Sequence, residues 1–211
     1  NPNSMVLATA GAHGAPSARV VLCKDIRTQP GYITFFTNYL SRKGRELADN
    51  PRAAAVMHWD ALGRQVRLEG LVIPAGAAES DAYFDSRPWQ SRLGAWASAQ
   101  SEPIGSHAQL VQALERAAQR FGTPSPAPAA ASTSSASASP SASASCTAAA
   151  VAAVAIPRPP HWGGYHLWID AVELWVEGPA RLHDRARWQR SLTPSGARFA
   201  AGPWSATRPQ P

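Results

Sequence analysis

The pattern of apolar and polar positions divides the chain into strand-like runs at both ends and helical stretches between them. Met5 to Ala10 and Pro16 to Cys23 are rich in β-forming residues and are separated by Gly11-Ala12-His13-Gly14, which predicts a hairpin. A third strand is expected over Tyr32 to Thr37. From Ser41 to Asn50 the pattern predicts a helix, with Ser41 as its cap and Pro51 just past its end. Strands follow over Ala53 to Trp59 and Gln65 to Ile73. In the second of these Val66, Leu68 and Val72 alternate with Arg67, Glu69 and Leu71, the period of a sheet with one wetter face. Ala77 to Ala97 reads as helix broken near Pro88, and His107 to Phe121 as an amphipathic helix carrying Leu110, Leu114 and Phe121 on related faces.

From residue 123 to about 156 the chain is almost entirely Ala, Ser, Pro and Thr, too poor in large apolar groups to offset the entropy of ordering it. It is read as a disordered insertion. Strands resume at Tyr165 to Ile169, at Val172 to Val176 and around Arg181 to Trp188, so residues 1–122 and 157–211 are expected to form one domain. Early strands, a helical middle and late strands predict a mainly β fold: an antiparallel barrel with helices packed at one side. No βαβ repeat and no Gly-rich phosphate fingerprint is present.

Composition narrows the partners. Lys and Arg outnumber Asp and Glu by 20 to 14, a formal charge of +6, which favours anionic ligands. The cations stand singly among apolar strands, without a basic stripe or an aromatic RNA-binding motif, which argues against nucleic acid. Cys23 lies in an apolar run and Cys146 in the Ser/Ala tract, so a disulfide is not expected and a reducing compartment, cytoplasm or an organelle such as a plastid, fits. No apolar run has the length of a membrane span. The chain opens without Met and a strand begins almost at once, so it is read as a fragment lacking its natural N-terminus.

Four clusters could carry chemistry. Arg19 and Lys24 bracket the apolar run Val20-Val21-Leu22-Cys23, which also reads as a core strand with solvated ends. Arg42 and Lys43 fall in the first turn of a helix, where cations oppose the macrodipole unless an anion sits there. Tyr83, Arg87 and Ser91, spaced i, i+4 and i+8, would share a face of one continuous helix and offer the donors a phosphate monoester needs. Finally, Arg181, His183 and Arg185 alternate on an expected strand after Trp175, which is costly for unpaired buried groups and favours a ligand-facing role. The histidines lack the spacing and company of a zinc site, and no G-x-S-x-G elbow is present, so neither a metal site nor a serine nucleophile is expected.

Taken in order, several segments resemble the pyridoxamine 5′-phosphate oxidase family. They are Asn3-Ser4-Met5-Val6-Leu7-Ala8-Thr9, Arg19 to Lys24, Phe36-Thr37-Asn38-Tyr39 with Ser41-Arg42-Lys43-Gly44, and Arg64-Gln65-Val66-Arg67. Further along come Tyr83 to Pro88, Gly94 to Ser98 with Gln100-Ser101, Pro157 to Tyr165, and Arg181-Leu182-His183-Asp184-Arg185. The resemblance implies an FMN-binding split β-barrel, working as a homodimer with FMN in clefts between subunits. By position it implies flavin contacts at Arg19, Val20, Val21, Leu22, Cys23, Lys24, Phe36, Thr37, Arg42, Lys43, Gln65, Trp175 and Arg185, with Gln100 and Ser101 reaching from the partner subunit. Substrate phosphate would meet Lys24, Tyr83, Arg87 and Ser91, and the reacting carbon would lie near Arg181 and His183. Phe36 stands where the family usually carries an aromatic hydroxyl.

The implied reaction oxidises pyridoxamine or pyridoxine 5′-phosphate to pyridoxal 5′-phosphate, with dioxygen as acceptor and hydrogen peroxide as product. The flavin carries the redox chemistry and the protein positions the substrate. Two rival readings are a flavin oxidase for another substrate, such as a phenazine precursor, and a non-catalytic FMN or pyridoxal phosphate carrier.

Overall fold

The computed structural model describes residues 1–122 and 155–211. Its first half follows the expected order. Strands β1 (Ser4–Ala10) and β2 (Pro16–Leu22) form the hairpin, with Gly14 at a positive φ of 75° in the turn. Strand β3 (Asp25–Arg27), too short to register in the sequence pattern, pairs with β4 (Tyr32–Asn38). Helix α1 (Arg42–Asp49) is capped as expected, the Ser41 hydroxyl accepting from the Gly44 backbone N–H at 3.4 Å. Strands β5 (Arg52–Trp59) and β6 (Arg64–Pro74) close the first half.

The helical middle divides into α2 (Ala77–Asp85), α3 (Trp89–Ala97) and α4 (His107–Phe121). Pro88 ends one helix and starts the next, because a proline at the head of a helix has no intrahelical N–H to lose. Tyr83, Arg87 and Ser91 therefore do not share one continuous helix.

The second half corrects the strand pattern. Tyr165 to Ile169 and Val172 to Val176 are parts of one strand, β7 (Trp162–Val176). The break seen in the sequence is a bulge: Glu69 pairs with Ala171 and Gly70 with Ile169, leaving Asp170 without a partner on β6. A Cβ on Gly70 would lie 1.8 Å from the Trp168 carbonyl oxygen, so only glycine permits that approach. Strand β8 begins at Asp184 (Asp184–Gln189), and Arg181 lies outside it in a 3-10 turn (Pro179–Arg181). Short strands β9 (Leu192–Ser195), β10 (Arg198–Ala201) and β11 (Ser205–Thr207) complete the chain.

The main sheet runs β11-β8-β7-β6-β5-β1-β2, antiparallel throughout, and β4 pairs with the first half of β7. The Lys24 N–H, just before β3, donates to the Thr34 carbonyl of β4 at 2.8 Å, and β2 also approaches β4, so the sheet curls into a split barrel. Met5, Leu7, Ile33, Phe35, Ala55, Leu68 and Leu167 fill its interior. A second core of Phe84, Leu93, Ala117, Phe121, Ile156 and Trp162 fixes the three helices against the start of β7. Ile156, assigned from sequence to the insertion, is 1% exposed and belongs to this core. The rest of the Ala/Ser/Pro-rich stretch, with Cys146, lies outside the described residues. No helix among the described residues is long and apolar enough to cross a membrane.

Candidate functional site

A cavity of about 960 Å³ opens between β2, the end of β4, the start of α1 and the α2–α3 junction. Three of the four clusters picked out from sequence contribute to its wall. Arg19, Val20, Val21, Leu22 and Lys24 come from the β2 side, Phe36 and Thr37 from β4, and Arg42 and Lys43 from α1. Tyr83, Arg87 and Ser91 reach it from the broken helix, and Gln100 and Ser101 from the segment after α3.

One end of the cavity is basic. Lys43 is 7% exposed, and its ammonium donates to Thr37 Oγ1 at 2.8 Å, Gln100 Oε1 at 2.9 Å and Ser41 Oγ at 3.1 Å. Burial, aided by the nearby Arg19 charge, pushes its pKa down to about 8. Arg19 and Arg42 converge on Glu46 of α1, at 3.3 and 2.8 Å. No acidic residue occupies the first turn of α1, so its N-terminus keeps its positive end uncompensated.

The other end is aromatic. Phe36 stacks on Tyr83 with centroids 3.9 Å apart, and Trp162 lies nearly parallel to both. The Arg87 guanidinium sits 4.6 Å over the Trp162 ring. Its Nη1 is buried with no hydrogen-bond partner, and burial lowers the Arg87 pKa from its usual value. A buried guanidinium nitrogen left without a partner on a half-buried arginine is suited to an anion. Lys24 reaches the same end, its ammonium 5.6 Å from the centre of the Tyr83 ring.

The remaining sequence candidates are placed elsewhere. Cys23 is 4% exposed in the barrel core, where burial raises its thiol pKa, and it does not line the cavity. Gln65, Trp175 and Arg185 form a row across β6, β7 and β8, each paired with the next. His183 packs on Trp175 with ring centroids 4.6 Å apart, and its Nδ1 accepts from the Gly178 N–H at 3.3 Å. Arg185 is held by the buried Glu173 carboxylate at 2.7 Å. The alternation expected for Arg181, His183 and Arg185 fails because the chain turns before β8, with Ala180 and Arg181 at positive φ. Arg181 is exposed at that turn.

Along the sheet the row lies three to five strand spacings from β2, Gln65 on β6 nearest and Arg185 on β8 farthest. None of Gln65, Trp175, Arg181, His183 and Arg185 lines the cavity of its own chain. Gln100 and Ser101 differ from expectation in the opposite sense: both line the cavity of their own chain, Gln100 bonded to Lys43.

Sequence reasoning passed over Glu46 and Trp162. The i, i+4 spacing of Arg42 and Glu46 was the available signal for the first. Nothing in the local pattern marks Trp162, whose role depends on β7 packing against α2.

The residues present fit FMN. Arg19, Arg42 and Lys43 with the head of α1 suit a phosphate, and the cavity is large enough for a tricyclic ring beside it. The barrel and this cavity define a split-barrel flavoprotein.

Comparison with known proteins agrees. Residues 1–121 match the family model described as pyridoxamine 5′-phosphate oxidase, and residues 162–211 that of the pyridoxine 5′-phosphate oxidase C-terminal dimerisation region. The pyridoxine/pyridoxamine 5′-phosphate oxidase of Ralstonia pickettii (strain 12J) is 43% identical over 209 residues, spanning 99% of this chain and 79% of that protein. That of Bordetella avium (strain 197N) is 48% identical over 190 residues, 89% of this chain and 73% of its own. Among solved structures, PhzG from Burkholderia lata 383, in complex with tetrahydrophenazine-1-carboxylic acid, has a TM-score of 0.74 at 26% identity, covering 100% of this chain and 83% of that one. A pyridoxamine 5′-phosphate oxidase-related, FMN binding protein from Nostoc punctiforme PCC 73102 shares the fold, with a TM-score of 0.63 at 16% identity over 100% of this chain and 88% of that one. The chain belongs to the pyridoxamine 5′-phosphate oxidase family; it is an FMN-dependent oxidoreductase.

Proposed function

We propose that this protein oxidises pyridoxamine 5′-phosphate or pyridoxine 5′-phosphate to pyridoxal 5′-phosphate, as a homodimer in which each active site combines the cavity of one subunit with the Trp175 row of the other. The observation that carries the substrate reading is Arg87, whose buried, unpartnered Nη1 lies in the cavity wall with Tyr83, Ser91 and Lys24. Lys24 and Arg87 lie against the aromatic rings, whereas Arg19 and Arg42 are held by Glu46 and Lys43 by Thr37 and Gln100, so we assign the two groups to two phosphates, one of the substrate and one of the cofactor.

FMN, when bound, supplies a two-electron acceptor that dioxygen can reoxidise, giving hydrogen peroxide. The chain's own residues do the positioning. Lys24, Tyr83, Arg87 and Ser91 hold the unreactive phosphate, which fixes the orientation of the pyridine ring and lowers the entropic part of the barrier. Arg181 and His183 of the second subunit then face that ring. His183 Nδ1 accepts from the Gly178 N–H, so Nε2 carries the ring proton and donates a hydrogen bond to the substrate's 4′ substituent.

Several exposed apolar side chains support the dimer. Val6 and Val20 flank the cavity side and Leu174 and Leu182 the row, at 42%, 66%, 41% and 71% exposure. The similarity of residues 162–211 to a dimerisation region points the same way.

A second reading has its own support: the similarity to PhzG favours a tricyclic phenazine precursor as substrate. Peroxide release by the FMN-loaded protein tests both. Turnover of pyridoxamine or pyridoxine 5′-phosphate supports the first reading. Turnover of tetrahydrophenazine-1-carboxylic acid without either vitamin phosphate would replace it.

A further inference from the structure

The Glu46 carboxylate is 11% exposed and does not line the cavity, yet it is the point on which the basic end converges. Oε2 accepts from Thr9 Oγ1 at 2.5 Å, Ser17 Oγ at 2.6 Å and Arg19 Nη2 at 3.3 Å, and Oε1 accepts from Arg42 Nε at 2.8 Å. Arg19 is pinned further: its Nη1 donates to Thr9 Oγ1 at 2.5 Å and to the Leu7 carbonyl at 3.3 Å, and its Nη2 also donates to Ser17 Oγ. Thr9 and Ser17 lie opposite each other on the β1–β2 hairpin, whereas Arg42 and Glu46 lie one turn apart on α1. One carboxylate therefore ties the hairpin to the helix and holds a cavity-lining cation from each.

We propose that Glu46 is a positioning residue for the flavin phosphate: it fixes Arg19 and Arg42 in the cavity wall and balances the charge of the cationic cradle. The proposal rests on the flavin reading of the cavity. Arg19, Arg42 and Lys43 place three positive charges in the wall, and Glu46 reduces their sum to about two, the charge of a phosphate monoester dianion. Without an anion at Glu46, the three cations repel one another before the ligand arrives, and the long Arg42 side chain, 59% exposed, loses the group that fixes its direction. Burial alone would raise the Glu46 carboxyl, but hydrogen bonds from Ser17, Thr9, Arg42 and Arg19 hold it down to about 2, so it is charged at neutral pH.

Glu46→Gln keeps the volume and removes the charge. The amide has one accepting oxygen where the carboxylate has two, so its NH₂ must face either the Arg42 guanidinium or the group of three donors around the Oε2 position. The test compares flavins that differ only in the phosphate. Purified wild-type and E46Q apoproteins are titrated with FMN and with riboflavin, following flavin fluorescence, after circular dichroism confirms folding. The expected result is a rise of about tenfold in Kd for FMN with Kd for riboflavin unchanged, because only the phosphate meets the cations Glu46 orients. A Kd for FMN that is unchanged or lower, or equal rises for both flavins, overturns the proposal, since the last is what a merely structural role would give.

Should E46Q not fold, Thr9→Val decides by the same ratio. It is nearly isosteric, buried at 3% exposure and outside the cavity, and it deletes one hydroxyl between Arg19 and Glu46. A phosphate-specific loss of about threefold is expected from one such contact. Wild-type protein that binds neither flavin overturns the reading of the cavity itself, and this proposal with it.

Discussion

The ring of Tyr83 lies on that of Phe36, with centroids 3.9 Å apart and planes 17° from parallel. Trp162 continues the set, 6° from the Tyr83 plane, and Arg87 covers the Trp162 ring. The stack ties α2 to β4 and β7 and places the Arg87 guanidinium over Trp162, with Nη1 buried at the cavity. Arg87→Ala should therefore raise KM for pyridoxamine 5′-phosphate by at least about tenfold, the cost of one charge-assisted anchor, while bound FMN is unchanged. Arg87→Lys should recover little, because an ammonium lacks the planar, forked donors with which a guanidinium can rest on the indole and still hold a phosphate. Steady-state peroxide assays with the flavin-to-protein absorbance ratio check this, and an unaltered KM would remove Arg87 from the phosphate anchor.

The separation of the cavity from the Trp175 row leads to a complementation experiment. If the two half-sites meet only across a dimer, Arg87→Ala and His183→Ala damage different halves. A heterodimer of one R87A and one H183A subunit then contains one site with both residues intact. At substrate well below KM, where both variants are strongly impaired, random mixing should raise activity to about a quarter of wild type, since half the dimers are mixed and each has one good site. Activity that stays at the level of the separate variants would show that both residues serve one chain's own site.

The parts of this molecule governed by local rules were legible in its sequence. The hairpin, the Ser41 cap, the Pro88 break and the alternation along β6 each depend on residues close in the chain. The continuity of β7 was hidden because a bulge at Asp170 shifts the alternation, and whether a bulge or a chain reversal follows depends on Gly70, a hundred residues earlier. For the site, the charge clusters at Arg19, Arg42 and Arg87 were visible as local anomalies. The error at Arg181 arose because alternation was extended past a turn whose left-handed residues, Ala180 and Arg181, are not of the types that announce such a conformation. Glu46 was passed over because a lone Glu on a helix is ordinary; its meaning comes from four donors on three separate elements or loops.

Lys43 makes FMN binding pH-dependent. Its pKa stands at about 8, below the ordinary 10.5, mainly because burial disfavours the charged form. Between these values the unfolded chain holds more protons than the folded apoprotein, so the apoprotein gains stability as pH rises from about 8 to about 10.5. A dianionic phosphate has the opposite effect, favouring the ammonium, so above pH 8 binding must take up a proton. The affinity for FMN should thus fall as pH rises through about 8, by at most about tenfold per pH unit. Lys43→Arg should move that fall beyond the range in which the protein can be studied. Titrations across this range check the slope, and a flat wild-type profile would contradict the assignment of Lys43 to the phosphate end.

Gly44 offers a test in which two physical effects have opposite signs. It sits inside α1, where replacing glycine by alanine ordinarily stabilises an exposed helix by about 1 kcal/mol. Gly44 is buried, however, and a Cβ there would lie 2.0 Å from the carbonyl oxygen of Tyr39 and 2.5 Å from its carbonyl carbon, both main-chain atoms that cannot move aside independently. Relief requires α1 to withdraw from the β4–α1 turn, which would carry Lys43 away from Thr37 and Gln100. The overlap should outweigh the propensity gain, with a net loss of about 2 kcal/mol or more. Gly44→Ala should accordingly lower the urea midpoint at unchanged slope and weaken FMN binding together, whereas a variant more stable than wild type would mean that propensity, not the contact with Tyr39, decides this position.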